Sequence, residues 1–320
     1  MGELASLSAS GVWAAASLMF ARLGKTVSAL ALNWLKCVIA LVLMVIVLLI
    51  LEGTVWPDSL NLSQTVILAI SGLVGLTVGD TAFFHALNRL GPRRTLLISA
   101  LSPPMTAVMA VPVLGEPLGF SMLLGMTLTM GGVIWVILER HPNKDRETES
   151  GATPTAVTAT ATATTGDEKQ PKRFSRQLKI GVLFGLGYAF CQALGNVLTK
   201  LGGGHITALE ISVVRLFFGI LGLTLILGAT RRLMTVAIPL KDRRTAWLVI
   251  AATFFGTFLG IWLMNAGLRY TYTGIASTLA STSPIFVLPL AYFFDGEKLT
   301  LRSVAGAFIA VSGVAVLFLI

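Results

Sequence analysis

The sequence predicts an all-α polytopic membrane protein, ten transmembrane helices arranged as two inverted five-helix repeats, and three observations carry that prediction. Only 12% of the 320 residues are charged while 55% are hydrophobic, and mean hydropathy is +0.82; soluble domains carry about 25% charged residues. The apolar residues fall in runs of the length that crosses a bilayer core as a helix, about 20 residues. A helix also satisfies its own backbone hydrogen bonds in lipid. The third observation is a duplication: Gly75 to Leu138 recurs without a gap as Gly256 to Leu319. Gly75/Gly256, Gly79/Gly260, Ser102/Ser283, Pro103/Pro284, Gly115/Gly296, Glu116/Glu297, Gly125/Gly306 and Gly132/Gly313 match at one constant displacement. Such residues fix helix ends, kinks and close approaches, so a matched set in one register marks a repeated unit.

Apolar runs bounded by charge and turn residues place the first five spans at 4–22, 29–51, 63–86, 94–114 and 118–138. Met1-Gly2-Glu3 puts no basic segment ahead of the first run, which therefore reads as a retained span and not a cleavable signal. From His141 to Gln177 the chain turns polar, rich in Thr and Ala and flanked by charge. Such a stretch cannot bury a core and is expected to be a disordered linker. Spans follow at 178–199, 206–228, 245–268, 273–294 and 300–319, so the organisation is a first repeat over 1–140, a linker over 141–177 and a second repeat over 178–320.

Five spans per half is an odd number, so the second half enters the membrane in the opposite sense. Loop charge agrees. Every Lys and Arg other than Lys36, Lys200, Arg215 and Arg269 flanks an odd-numbered connection, while the even connections also hold Glu52, Asp58 and Glu116. Basic loops stay cytoplasmic, which puts the linker in the cytoplasm and both termini outside a cell membrane. Because these basic residues are short flanks between apolar runs, the net charge of +9 is an orientation signal and not a nucleic-acid surface. Cys37 and Cys191 lie far apart inside apolar runs and read as buried small residues, with no disulfide or metal site implied.

Ser102-Pro103 and Ser283-Pro284 fall within expected spans, where proline removes a backbone donor and kinks a helix; they read as packing kinks or as hinges beside a central path. Gly115-Glu116 and Gly296-Glu297 precede the last span of each half. There glycine makes the turn and the carboxylate complements the positive end of the following helix. Ionisable residues inside spans say more, because a charge in hydrocarbon is costly and tied to a partner or a pathway. Asp80 lies deep in the third span with His85 five residues on, and its counterpart in the second copy is Ile261; Lys36 and Arg215 occupy near-equivalent places in the second and seventh spans. Lys36 reads as snorkelling or functional, Arg215 as an interhelix ion pair or functional, and His85 as a packing residue or a relay to Asp80. Trp13, Asn33, Tyr188, Gln192, Asn196, Trp262 and Asn265 add polar and aromatic groups to otherwise apolar spans. Gln192 and Asn196, four apart, share one helix face.

Ten spans, a duplicated unit, a basic residue in the second span of each half, and the paired signatures LSPPMTAVMAVPVLGE and TSPIFVLPLAYFFDGE resemble the drug/metabolite transporter superfamily, in particular its EamA-type branch of exporters. The likeness covers the chain apart from the linker. It implies alternating access around a cavity between the halves and export of small metabolites such as amino acids, with the lipid bilayer and a small-molecule substrate as partners and no cofactor. Lys36 stands where that family often has arginine, and the linker is unusually long. An intramembrane enzyme and a non-transporting scaffold or channel are the other classes considered. The sequence offers an enzyme little: Asp80 is the one deep aspartate, and no His/Glu/Asp set has metal-ligand spacing. Nor is there a GxxxxGK[ST] phosphate loop to supply energy. The orientation has a direct check. With Cys37 and Cys191 replaced, Thr160→Cys labels from the cytoplasmic side and Pro57→Cys from the opposite side; the reverse pattern overturns the topology.

Overall fold

The computed structural model describes residues 1–23, 27–57, 60–138, 170–231, 236, 242–283, 285–286, 289 and 301–319. Among these the secondary structure is helical throughout. In chain order the α-helices are α1 (Gly2–Leu23), α2 (Ala29–Glu52), α3 (Leu62–Gly72), α4 (Asp80–Ser99), α5 (Ser102–Leu114), α6 (Phe120–Leu138), α7 (Gln170–Gly203), α8 (Ala208–Ala229), α9 (Arg243–Thr253), α10 (Gly260–Tyr270), α11 (Thr273–Ala280) and α12 (Leu301–Phe318). Two π-helical segments, Leu73–Gly79 and Phe254–Leu259, join α3 to α4 and α9 to α10.

Local chemistry sets most of the ends. Asn61 and Gln64 form a reciprocal capping box ahead of α3, and Thr207 and Glu210 do the same for α8; each box satisfies two amides that a helix start leaves open. Asp242 caps α9 by accepting from the Thr245 amide at 3.0 Å and its hydroxyl at 2.6 Å. That hydroxyl, and then the amide, hold the Asp242 carboxyl below its usual range. Helices α2 and α5 stop at Gly53 (φ 72°) and Gly115 (φ 67°), left-handed positions that suit a residue without a Cβ.

Several expected borders move. The connection expected between 86 and 94 is helical, because α4 continues to Ser99; Pro92 has a helical φ and costs the helix one hydrogen bond. The helix breaks instead at Ala100 and Leu101, and α5 starts at Ser102 with proline in its first turn. Ser102-Pro103 is therefore a helix start and not a mid-helix kink, since the first turn has no amide bond for proline to remove. The second copy breaks at the matching place, Ser281 and Thr282; Ser283 follows, and Pro284 lies outside the described residues. Helix α7 begins at Gln170, ahead of the expected border at 178, and residues 141–169 of the expected linker are likewise outside. Five described stretches are long and apolar enough to cross a membrane: Leu30–Glu52, Leu62–Ala86, Leu178–Gly203, Ala208–Ala229 and Arg243–Tyr270. Ser102–Leu114, Phe120–Trp135 and Val304–Phe318 are shorter apolar helices.

The two matched stretches meet antiparallel. On α6 and α12, which correspond in the duplication, Gly125 faces Gly313 and Leu317 while Gly132 faces Gly306 and Ala310. Helices α2 and α8 also run antiparallel: Trp34 Nε1 donates to Thr224 Oγ1 at 2.8 Å near one end, and the Thr207 hydroxyl meets Glu52 at 3.5 Å near the other. The remaining contacts come in exchanged pairs. Helix α1 packs on α10 and α11, as α7 packs on α3, α4 and α5. Each half thus lends its first helix to the other.

Small residues make the α6–α12 seam close, as helix pairs in lipid require. A Cβ at Gly132 runs into the backbone of Gly306 and Ala310, whereas one at the neighbouring Gly131 meets nothing within 4 Å. Gly132→Ala is therefore expected to destabilise the purified chain by about 1–3 kcal/mol through overpacking, while Gly131→Ala is neutral or gains roughly 0.5–1 kcal/mol from helix propensity. Thermal melting in detergent checks the pair, and equal melting temperatures contradict the seam.

Candidate functional site

Both π segments begin at matching positions of the duplication, Leu73 and Phe254. A π turn widens the helix and disturbs its carbonyl ladder, which is why such turns gather at functional places. In each copy a neighbouring helix answers a carbonyl of the segment. Asn33 Nδ2 of α2 donates to Leu76 O at 3.2 Å, and Trp13 Nε1 of α1 donates to Gly256 O at 2.7 Å.

Asp80 is the first residue beyond the first π segment. Its Oδ2 takes Lys36 Nζ at 2.9 Å and its Oδ1 takes Gln192 Nε2 at 3.4 Å. The Lys36 and Asp80 side chains are 17% and 14% exposed, so the pair is only partly wetted. Lys36 Nζ also lies 5.9 Å from the centroid of Phe84, and Tyr188 packs its ring 4.8 Å from that of Phe83 while its hydroxyl reaches Gln192.

Arg215 and Gln192 both approach Gly75. Arg215 is 5% exposed, and its Nη1 donates to Asn265 Oδ1 at 2.9 Å; Asn265 Nδ2 in turn donates to Ser212 Oγ at 2.7 Å. Among the described residues Arg215 Nε has no hydrogen-bond partner. Nη2 stands over Gly75, where a Cβ would come within 3.3 Å of it and 4.0 Å of Gln192 Oε1. Gly72, one turn earlier, lets α3 approach so closely that a Cβ there would strike the Arg215 carbonyl. Lys36–Asp80–Gln192 and Arg215–Asn265–Ser212 are thus two hydrogen-bonded runs that approach each other at Gly75, together a polar chain through α2, α4, α7, α8 and α10.

Among the described residues the second copy has no counterpart of the Lys36–Asp80 pair. Ile261 replaces Asp80, and Phe258 and Trp262, with ring centroids 5.8 Å apart, pack around Leu76 and Leu216, the chain neighbours of Gly75 and Arg215. Trp13 lies against Gly260, where a Cβ would strike its Nε1. Asn196 is buried one turn beyond Gln192.

His85 does not join the chain. Its ring packs 5.0 Å from Phe184, and its Nδ1 is 3.3 Å from Arg89 Nη1; five residues is about 140° around an α-helix, which turns it away from Asp80. Glu116 needs a larger correction. It is 7% exposed and accepts from the Thr273 amide at 2.7 Å and hydroxyl at 2.9 Å, with Lys200 Nζ at 2.5 Å. It therefore caps α11 of the other half and not the helix that follows it, because the left-handed turn at Gly115 directs the carboxylate inward to open amides. Lys200 also donates to Thr271 O at 2.6 Å. Nearby, Arg269 donates to the carbonyls of Ile206 and His205. Gly296 and Glu297 lie outside the described residues.

Sequence reasoning passed over Ser212, Gly75 and Lys200 as site components. Lys200 did carry a signal, as one of the few basic residues beside an even connection. A cavity of about 160 Å3 lies between this end and the polar chain, lined among others by Lys200, Ile211, Asn265 and Arg269. A wider open groove over Asp242, Arg243, Arg244 and Trp247 lies at the start of α9, apart from the buried charges.

Apolar helices of spanning length around a buried polar chain define a polytopic membrane protein. Residues 1–138 and 179–319 match the model of the EamA-like transporter family, and the chain belongs to that family. It is also similar to a protein of Archaeoglobus fulgidus described as an uncharacterized transporter, at 39% identity over 69 residues. That match covers 22% of this chain, and the chain spans about a quarter of the length of that curated relative. In fold it is similar to a crystal structure that it matches with a TM-score of 0.72 and 15% identity, over 99% of this chain and 96% of the other.

Proposed function

We propose that this protein is a secondary transporter of the cell membrane, not an enzyme, that exports small metabolites, amino acids or related compounds, by alternating access between two inverted five-helix repeats. In this reading ten helices cross the bilayer, the linker is cytoplasmic and both termini are outside. The observation that carries the proposal is the polar chain from Lys36 to Asn265, which draws on helices of both halves and sits among apolar clusters. Intramembrane ionisable groups are retained where a solute or ion must be met.

The ties at one end support the alternating part. Glu116 to Thr273, Lys200 to Glu116 and Lys200 to Thr271 involve even connections, the side read above as external. Glu116 belongs to the first half and its partners to the second, so the contacts hold the halves together there. Exchange of access requires these contacts to open while the opposite end closes. A gradient supplies the energy, and Asp80, exchanging a proton for its ion pair with Lys36, is the coupling group.

Purified protein in proteoliposomes loaded with labelled amino acids and related acids is expected to show flux that responds to an imposed pH gradient. Asp80→Asn inserts normally and loses the gradient-driven component. Absence of any flux contradicts the transporter reading, and gradient-driven flux that survives Asp80→Asn removes Asp80 from coupling.

A further inference from the structure

Three buried charges stand in the polar chain, and they do not cancel. Lys36 and Asp80 neutralise each other at 2.9 Å. Among the described residues no carboxylate stands within ion-pair distance of Arg215, whose one hydrogen-bonded nitrogen meets a neutral amide. Arginine keeps its proton in proteins, so the centre holds one unbalanced positive charge in surroundings where an uncompensated charge is costly.

The free donors are specific in place. Nη1 is taken by Asn265, and among the described residues Nε has no hydrogen-bond partner while Nη2 stands over Gly75. Nε and Nη2 form the side edge of a guanidinium, and their two N–H groups match the two oxygens of a carboxylate. At Gly75 no Cβ intrudes on Nη2. At its counterpart Gly256 a Cβ would meet Ala16 and Phe20, so the glycine that faces a guanidinium belongs to one copy alone.

We propose that the central site selects a compact organic anion of net charge minus one, held by a carboxylate laid along the Nε–Nη2 edge of Arg215. This rests on the transporter reading above and narrows its substrate class. An anion brings the loaded centre to neutrality. A zwitterion leaves the positive charge unbalanced, and its ammonium must also displace Lys36 from Asp80. Within the amino-acid-like compounds, the site therefore favours those whose amino group is missing, blocked or offset by a second carboxylate.

The test uses the full chain and three skeletons, each in three charge forms: propionate, alanine and ethylamine; isocaproate, leucine and isoamylamine; hydrocinnamate, phenylalanine and phenethylamine. Tryptophan fluorescence in detergent reads binding, and proteoliposomes read flux. The acid of at least one skeleton is expected to bind about tenfold or more tightly than its zwitterion and amine, and Arg215→Gln to weaken that acid by roughly 10- to 100-fold, the scale of charge-assisted hydrogen bonds. Arg215→Lys keeps the charge without the two-donor edge and is expected to lose most of the preference; it carries the test if Arg215→Gln does not fold. Equal or tighter binding of zwitterions, no binding of any acid, or acid binding indifferent to both substitutions overturns the proposal. Arg215-independent flux of zwitterions leaves the transporter reading standing without this one, whereas acid binding with no flux removes only the transporter reading.

Discussion

A permanent positive charge at Arg215, 5% exposed among apolar helices, is the constraint that much of the centre answers to. Burying it demands partners, and they come from several elements: Asn265 on α10 accepts from it, and Ser212 one turn before it holds Asn265 in place. Gly72 and Gly75 let α3 and the first π segment come close. Gln192 bridges the space towards Asp80, whose own charge is matched by Lys36. Replacing any of these changes what the guanidinium meets, so the packing of four or five helices is coupled to one side chain.

Duplication provides the frame and divergence provides the site. Both copies keep the glycines, the π turn and the break after the fourth helical stretch, because these serve backbone geometry and close approach. They differ in what faces inward. One copy presents Gly75 and Asp80; the other presents Phe258, Ile261 and Trp262, with Asn265 on the turn beyond. Polar groups and aromatic rings thus lie near one another on positions that correspond in the duplication.

The helical class, the repeat and the intramembrane charges were legible in the sequence because each has a local signature: an apolar run, a matched glycine, a lone ionisable residue in hydrocarbon. Partnerships were not, since Lys36 and Asp80 lie on different helices and nothing in the chain states their rotation. The π segments leave no pattern that separates them from ordinary helix. Gly91-Pro92 looked like a connection and is helical, while the true break at Ala100 and Leu101 sits just ahead of Ser102-Pro103, a helix-start signal read as a kink or hinge. Glu116 was singled out with its glycine, yet its target lay in the other half, where only the folded bundle puts it.

The account's central claim is that the halves separate at the end tied by Glu116 and Lys200. With Cys37 and Cys191 replaced, Glu116→Cys and Thr273→Cys can be bridged by a bis-methanethiosulfonate, and flux measured before bridging, after it and after reduction. The account predicts that bridging stops flux and reduction restores it. Undiminished flux through fully bridged protein would contradict it.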